Sequence, residues 1–175
     1  MNPGPLRPGG EGRFMAEPPA DSAYIGALWE HPTLCVALFG VQFLSEGGRR
    51  LYEGSGIERE MWQALEAARS DGLLLNRPLM SPEGPVLMQY WRSYEALDRW
   101  ARQQPHSRWW RWLLEHEGSI GFYHEIYQAK TAEAIYERGT RPVGPALFSA
   151  LQRVKAGEGH SRARQQRFLE APPGS

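Results

Sequence analysis

The chain has 175 residues, enough for one domain with a real core and too few for two ordinary ones. Its 20 Lys plus Arg balance 20 Asp plus Glu, so no general pull toward nucleic acid or an anionic membrane follows, and weak colloidal repulsion favours self-association. A single cysteine, Cys35, excludes an internal disulfide and a thiolate-rich metal cluster; it fits a reducing compartment.

Residues 1–22 are rich in Pro and Gly and are expected to be mobile. They carry no apolar stretch of signal-peptide type, and no part of the chain approaches the roughly 18 apolar residues of a membrane span. The expected location is the cytoplasm. Thr33 to Phe43 is apolar at nearly every position, the pattern of a strand buried on both faces. Ile57, Met61, Ala64, Leu65 and Ala68 form the stripe of an amphipathic helix, with Gly54-Ser55-Gly56 as its entry turn. Gly72 ends it and Leu73-Leu74-Leu75 starts a second strand. Ser81 to Pro85 is turn chemistry, so the strand Val86 to Arg92 should close a hairpin.

Ser93 suits an N-cap for a helix running from Tyr94 to about Gln103, which Pro105 interrupts. Ser107 to Glu117 carries Trp109, Trp110 and Trp112, which cannot all face inward; one should line a cavity or a subunit contact. Ser119 to Gln128 reads as a fourth strand. Thr131 to Arg138 and Pro145 to Val154 are expected to add C-terminal helices. Residues 156–175, with Arg162, Arg164 and Arg167, read as a polar tail or frayed helix.

The order β-α-β-β-α-β predicts an α+β, ferredoxin-like domain over residues 23–155, with a four-stranded antiparallel sheet. Helices cover one face of such a sheet. Because the first strand is apolar on both sides, a second copy of the chain is expected to cover the other face.

Three segments then carry a family likeness: Gln89-Tyr90-Trp91-Arg92-Ser93 with Leu97 and Ala101, His106 ahead of the tryptophans, and Gly121-Phe122-Tyr123-His124-Glu125-Ile126-Tyr127. From about Leu34 to Tyr136 the chain resembles a domain-of-unknown-function family grouped with the antibiotic-biosynthesis-type monooxygenases. That family includes the monooxygenase of the fumagillin pathway and belongs to the dimeric α/β-barrel superfamily. Two features depart from it. Glu137 to Gly144 replaces an Asn-Met-Pro and Gly-Leu-Gly segment, and Glu60 rather than Arg precedes Met61.

Strand parity sorts the polar candidates. Ile120, Phe122, His124 and Ile126 share one face of the fourth strand, with Gly121, Tyr123, Glu125 and Tyr127 on the other; Met88, Tyr90 and Arg92 share one face of the third. His124 is either a core imidazole or a neutral base whose pKa burial lowers. Glu125 is expected to pair with Arg92 or Arg111. His106 is either an exposed residue beside a helix start or the mouth of a pocket. The resemblance implies a monooxygenase-like enzyme acting on a small, largely apolar or aromatic substrate between sheet and helices. Such proteins use either no cofactor or haem. His124 then serves as base, Tyr90 and Arg92 hold an oxyanion, and Trp91, Trp110, Phe122 and Tyr127 shape the cavity; in a haem version His106 or His124 is the axial ligand. No metal, nucleotide or acyl-transfer motif is present. The competing reading is a non-catalytic dimeric ligand-binding module on the same fold.

Overall fold

The computed structural model describes residues 21–155 and 160–170. The expected N-terminal segment lies almost wholly outside the described residues. The central sheet consists of β2 (Cys35–Phe43), β3 (Leu73–Ser81), β4 (Gly84–Trp91) and β5 (Ile120–Gln128), in the order β3-β4-β2-β5 and antiparallel throughout. The helices α1 (Glu46–Ser55) and α2 (Ile57–Ala67) join β2 to β3, and α3 (Tyr94–Ala101) and α4 (His106–Glu115) join β4 to β5. This is the ferredoxin-like arrangement the sequence predicts, a split βαβ topology.

Local chemistry accounts for most of it. The hairpin turns on Pro82-Glu83, and Gly84 is required there because a Cβ would overlap the Val41 carbonyl of neighbouring β2. Ser93 caps α3 by accepting from Ala96 N at 3.2 Å. Gly56, with φ of 77°, ends α1 and opens α2. A bulge at Leu74 shifts the register between Leu73 and Leu75.

Helices pack on one face of the sheet, where Cys35, Ala37, Leu65, Trp91, Leu97 and Trp100 form the main core. The opposite face differs from the expectation. Neither Thr131–Arg138 nor Pro145–Val154 is α-helical. They supply β6 (Ile135–Tyr136), a short 3-10 turn (Gly144–Leu147) and β7 (Leu151–Arg153). With β1 (Tyr24–Gly26), which the sequence did not reveal, β6 and β7 make a second sheet in the order β6-β1-β7. Within the segment read as a polar tail or frayed helix, Ser161–Glu170 form the helix α5, the one added C-terminal α-helix among the described residues. Arg164 of α5 donates to Glu133 at 2.9 Å, Arg167 lies over the Trp29 ring, and Phe168 is buried against Leu28, Leu34 and Tyr90.

The chain therefore covers part of its own second face. Leu28, Phe148 and Phe168 close over Val36, Met88 and Tyr90. The part toward β5 stays open, with Glu125 and Tyr127 exposed. There the Tyr123 ring lies on Gly40, where any Cβ would overlap it.

Candidate active site

On the helix face the packing is incomplete. Two adjoining voids, of ≈ 100 Å³ and ≈ 210 Å³, lie between the sheet and the helices and share Phe39, His106, Trp110 and Phe122 as walls. The smaller reaches under α2 and α4 to Met61, Trp62 and Gln89; the larger opens past α3 to Asp98, His124 and Ile126. The strands set this arrangement through register. Phe39 pairs with His124 on one side, and Ala37 pairs with Gln89 on the other, so these side chains share the helix face.

His106 is the enclosed imidazole. Its ring sits edge-on to Trp100 at 5.3 Å and to Trp109 at 6.0 Å. Burial lowers its pKa, a hydrogen bond to the Ala101 carbonyl opposes that shift, and nearby His124 reinforces it. The bond to Ala101 occupies one ring N–H and leaves the other nitrogen as an acceptor. His124 is exposed and stands at the mouth, 6.0 Å from the Phe122 ring and 6.4 Å from Trp110. The two histidines thus exchange the surroundings expected of them. His124 is on an edge strand, and no described strand pairs with β5 on its outer side.

The position of α4 depends on Glu60, whose carboxylate accepts from Trp109 Nε1 at 2.9 Å and pairs with Arg108. Glu60 thereby ties α2 to α4 across the smaller void. Trp110 meets Phe122 edge-on at 5.3 Å and divides the two voids.

The expected constellation is only partly assembled. His106, Trp110, Phe122 and His124 meet on the helix face. Trp91 is on that face but fully buried in the core, with its indole N–H given to Gln89 Oε1 at 2.9 Å. Tyr90 faces the other way, paired with Val36 and packed 5.3 Å from Phe148, with burial raising its pKa against the opposing influence of Arg77. Arg92 is exposed beyond the end of β4, near His31. Tyr90 and Arg92 therefore cannot hold an oxyanion beside His124, because the sheet separates them. Glu125 accepts from Tyr127 Oη at 2.6 Å on the far face, and neither Arg92 nor Arg111 forms an ion pair with it among the described residues. Tyr127 is exposed there and does not shape the voids.

Sequence reasoning missed Gln89, Met61, Trp62 and Asp98 as lining residues. The alternation in Val86 to Trp91 signalled Gln89, a polar residue on the face of Leu87 and Trp91. Neither void is lined by Lys or Arg, and each carries one carboxylate, Glu58 in the smaller and Asp98 in the larger. Among the described residues no group of three or more His, Cys, Asp or Glu side chains is placed to hold a metal ion.

A ferredoxin-like sheet with an aromatic cavity beneath its helices defines an α+β domain. Residues 48–144 match the monooxygenase af470-like family, over more than half of the chain, and the chain belongs to that family. No curated protein matches it. Among solved structures, an aldoxime dehydratase is similar at 20% identity and a TM-score of 0.57, over 90% of this chain and 46% of that one. A second aldoxime dehydratase structure, in complex with butyraldoxime, is similar at 20% identity and a TM-score of 0.55, over 88% and 44%. Rv0793 from Mycobacterium tuberculosis matches at 18% identity and a TM-score of 0.40, over 54% and 94%. The chain spans less than half the length of the aldoxime dehydratases, and at these identities the likeness is one of fold.

Proposed function

We propose that this chain is a monooxygenase-like enzyme acting on a small, largely apolar or aromatic substrate in the helix-side cavity. One observation carries the reading: His106, a half-buried imidazole whose pKa burial lowers and which keeps one nitrogen uncommitted, faces an aromatic-walled void whose mouth holds a second imidazole, His124. Cavities with apolar walls and a few convergent polar groups are where ligands bind, and a base with a lowered pKa stays competent there below neutral pH.

In the cofactor-independent form, His106 takes the substrate's proton and the aromatic walls exclude water. The substrate is the only reductant and gives up four electrons: a phenol ArH(OH) keeps one oxygen atom as the second carbonyl of a quinone, and the other leaves as water with the two hydrogens the phenol loses. His124, in contact with solvent, returns protons at the mouth.

A haem group would find one donor here, His106, and no Lys or Arg in the described lining to pair with its propionates, which would have to face solvent at the mouth. His106 offers a half-buried ring nitrogen inside an apolar aromatic enclosure, a donor that could ligate the iron. His106 would hold the iron and His124 would lie among the groups at the mouth. The haem would supply the oxygen chemistry, and the protein would supply ligation, exclusion of water and a proton donor.

The test is an absorption spectrum of protein purified without additives, followed by oxygen uptake with electron-rich phenols. A Soret band near 400 nm that His106→Ala abolishes identifies the haem form; turnover without the band identifies the other. In either, His106→Ala should lower turnover by roughly 10²-fold or more while circular dichroism stays native. Turnover unchanged in both His106→Ala and His124→Ala would overturn the roles given to the two histidines, and no oxygen uptake together with no Soret band would leave the ligand-binding reading in place of the enzyme.

The same reading includes a homodimer, closed over the open β5 end of the second face, where Leu38, Tyr123 and Tyr127 remain available. A solution mass equal to one chain overturns it. No helix among the described residues is long and apolar enough to cross a membrane. A cytoplasmic location is proposed on the buried free thiol of Cys35.

A further inference from the structure

Four side chains form the wall between the two voids. Phe39 and Phe122 rise from the sheet, and His106 and Trp110 hang from α4, one turn apart and so on one side of that helix. Trp110 spans the gap. Its ring meets Phe122 edge-on at 5.3 Å and lies 6.4 Å from His124, so roof touches floor and the passage between the voids closes at that contact. Little holds this ring in place. Trp91 gives its indole N–H to Gln89 and Trp109 gives its own to Glu60, whereas no hydrogen bond holds the N–H of Trp110 among the described residues. Trp110 is also 42% exposed, and the buried core takes Trp109 from α4 instead. The partition can therefore be altered without opening the core.

Size and wall chemistry then limit what can bind. An apolar cavity of about 150 Å³ holds one benzene ring. The larger void, at ≈ 210 Å³, exceeds that, and the smaller, at ≈ 100 Å³, falls short of it. Phe39, Trp110 and Phe122 offer ring faces and edges, which suit a flat aromatic ring better than an alkyl chain. A second fused ring would have to cross the contact of Trp110 with Phe122 or stay in solvent at the mouth, where it gains little. We infer that Trp110 limits the substrate to a single aromatic ring, seated in the larger void against His106, and that removing the indole joins the smaller void to it. This deepens the proposed function and rests on the helix-side cavity being the substrate site.

The experiment is titration calorimetry on the full chain with phenol and 2-naphthol, kept under nitrogen so that no oxygen is consumed. The two ligands carry the same hydroxyl on one ring and on two. In the parent protein their affinities should agree within about threefold, because the second ring stays outside. In Trp110→Ala, 2-naphthol should bind at least about tenfold more tightly than phenol, because its second ring enters the smaller void. Trp110→Phe keeps a shorter ring at the partition, guards against a folding defect in the first variant, and should give an intermediate ratio. Leu114→Ala removes an exposed apolar side chain of the same helix that lines neither void, and should leave the ratio at the parent's value. A preference of about tenfold for 2-naphthol in the parent overturns the inference. So does a ratio that neither Trp110 variant moves, or one that Leu114→Ala moves as far. In each of these cases the cavity still binds phenol and the proposed function stands. Failure of the parent to bind either ligand overturns the cavity as the substrate site, and the proposed function with it.

Discussion

The two faces of the central sheet are covered in different ways. On the helix face the cover comes from segments next in the chain to the strands they protect: α2 precedes β3, and α3 follows β4. On the other face it comes from distant pieces, with Leu28, Phe148 and Phe168 closing on Val36 and Tyr90. The first face combines a dense core at its Trp91 end with voids toward β5. The second has no comparable core, only small clusters, an open end and a wide cleft of ≈ 550 Å³ lined by Leu28, Val36, Tyr90 and Tyr136. Local β-α packing thus supplies the stability, and the voids can sit beside it without undermining it.

The largest test of that contrast is Trp91→Ala. Trp91 is fully buried, contacts Trp100 at 5.3 Å and anchors Gln89. Its loss should cost roughly 3–5 kcal/mol in urea denaturation and abolish any two-state transition close to the parent's midpoint. Phe168→Ala tests the other face. Because α5 can detach without opening the sheet, the expected loss is smaller, about 2 kcal/mol, and hydrogen exchange should rise in α5 before it rises in β2. Equal losses in the two variants would show that the faces are one cooperative unit.

Gly40→Ala comes next. The added methyl would overlap the Tyr123 ring, but Tyr123 lies on the open part of the second face and can swing outward. The expected cost is about 1–2 kcal/mol. If the second face is closed by a partner copy in solution, Tyr123 loses that freedom, and the variant should also shift the oligomeric mass.

The same contrast separates what was legible in the sequence from what was not. The hairpin at Pro82-Glu83, the cap at Ser93 and the stripe from Ile57 to Ala68 depend on residues close in the chain, and periodicity reveals such features. The strands β1, β6 and β7 have two or three residues each and pair across more than a hundred positions, so no local pattern marks them. The site suffered from a related gap. Parity correctly divided Tyr90 from Gln89, and His124 from Glu125, but it cannot say which side of β4 joins which side of β5. Only the register of both strands against β2 decides that, and it places Gln89 with His124 and Tyr90 with Glu125's face. Burial of His106 likewise depends on Trp100 and Trp109 closing over it.

Each face also holds one histidine whose pKa burial lowers: His106 beside the voids, and His31 against Phe148 on the other side. Both sit below the ordinary value of 6.5 in the folded chain, so the unfolded chain takes up their protons first. Stability from these groups is therefore full above about 6.5 and is lost as pH falls through that value toward the lowered ones. Replacing either by Phe should flatten the slope of stability against pH below 6.5, and replacing both should flatten it further. A slope unchanged in His106→Phe would show that this ring takes up its proton as readily in the folded chain.

The smallest effect belongs to Asp98, which lines the larger void and is held by Arg102 through two hydrogen bonds of 3.0 Å. The Arg102 side chain is 77% exposed, so the pair is a surface ion pair despite its good geometry. Asp98→Asn should change stability by less than about 1 kcal/mol, measured in urea at moderate salt. Its consequence should appear in binding instead. Removing this carboxylate takes away a repulsion at the mouth of the voids, and an anionic ring compound such as benzoate should gain affinity while a neutral one does not. The gain should shrink as salt rises, since the repulsion acts through solvent. A benzoate affinity that ignores both the substitution and the salt would mean that the Asp98 carboxylate has no part in keeping anions from the mouth of the voids.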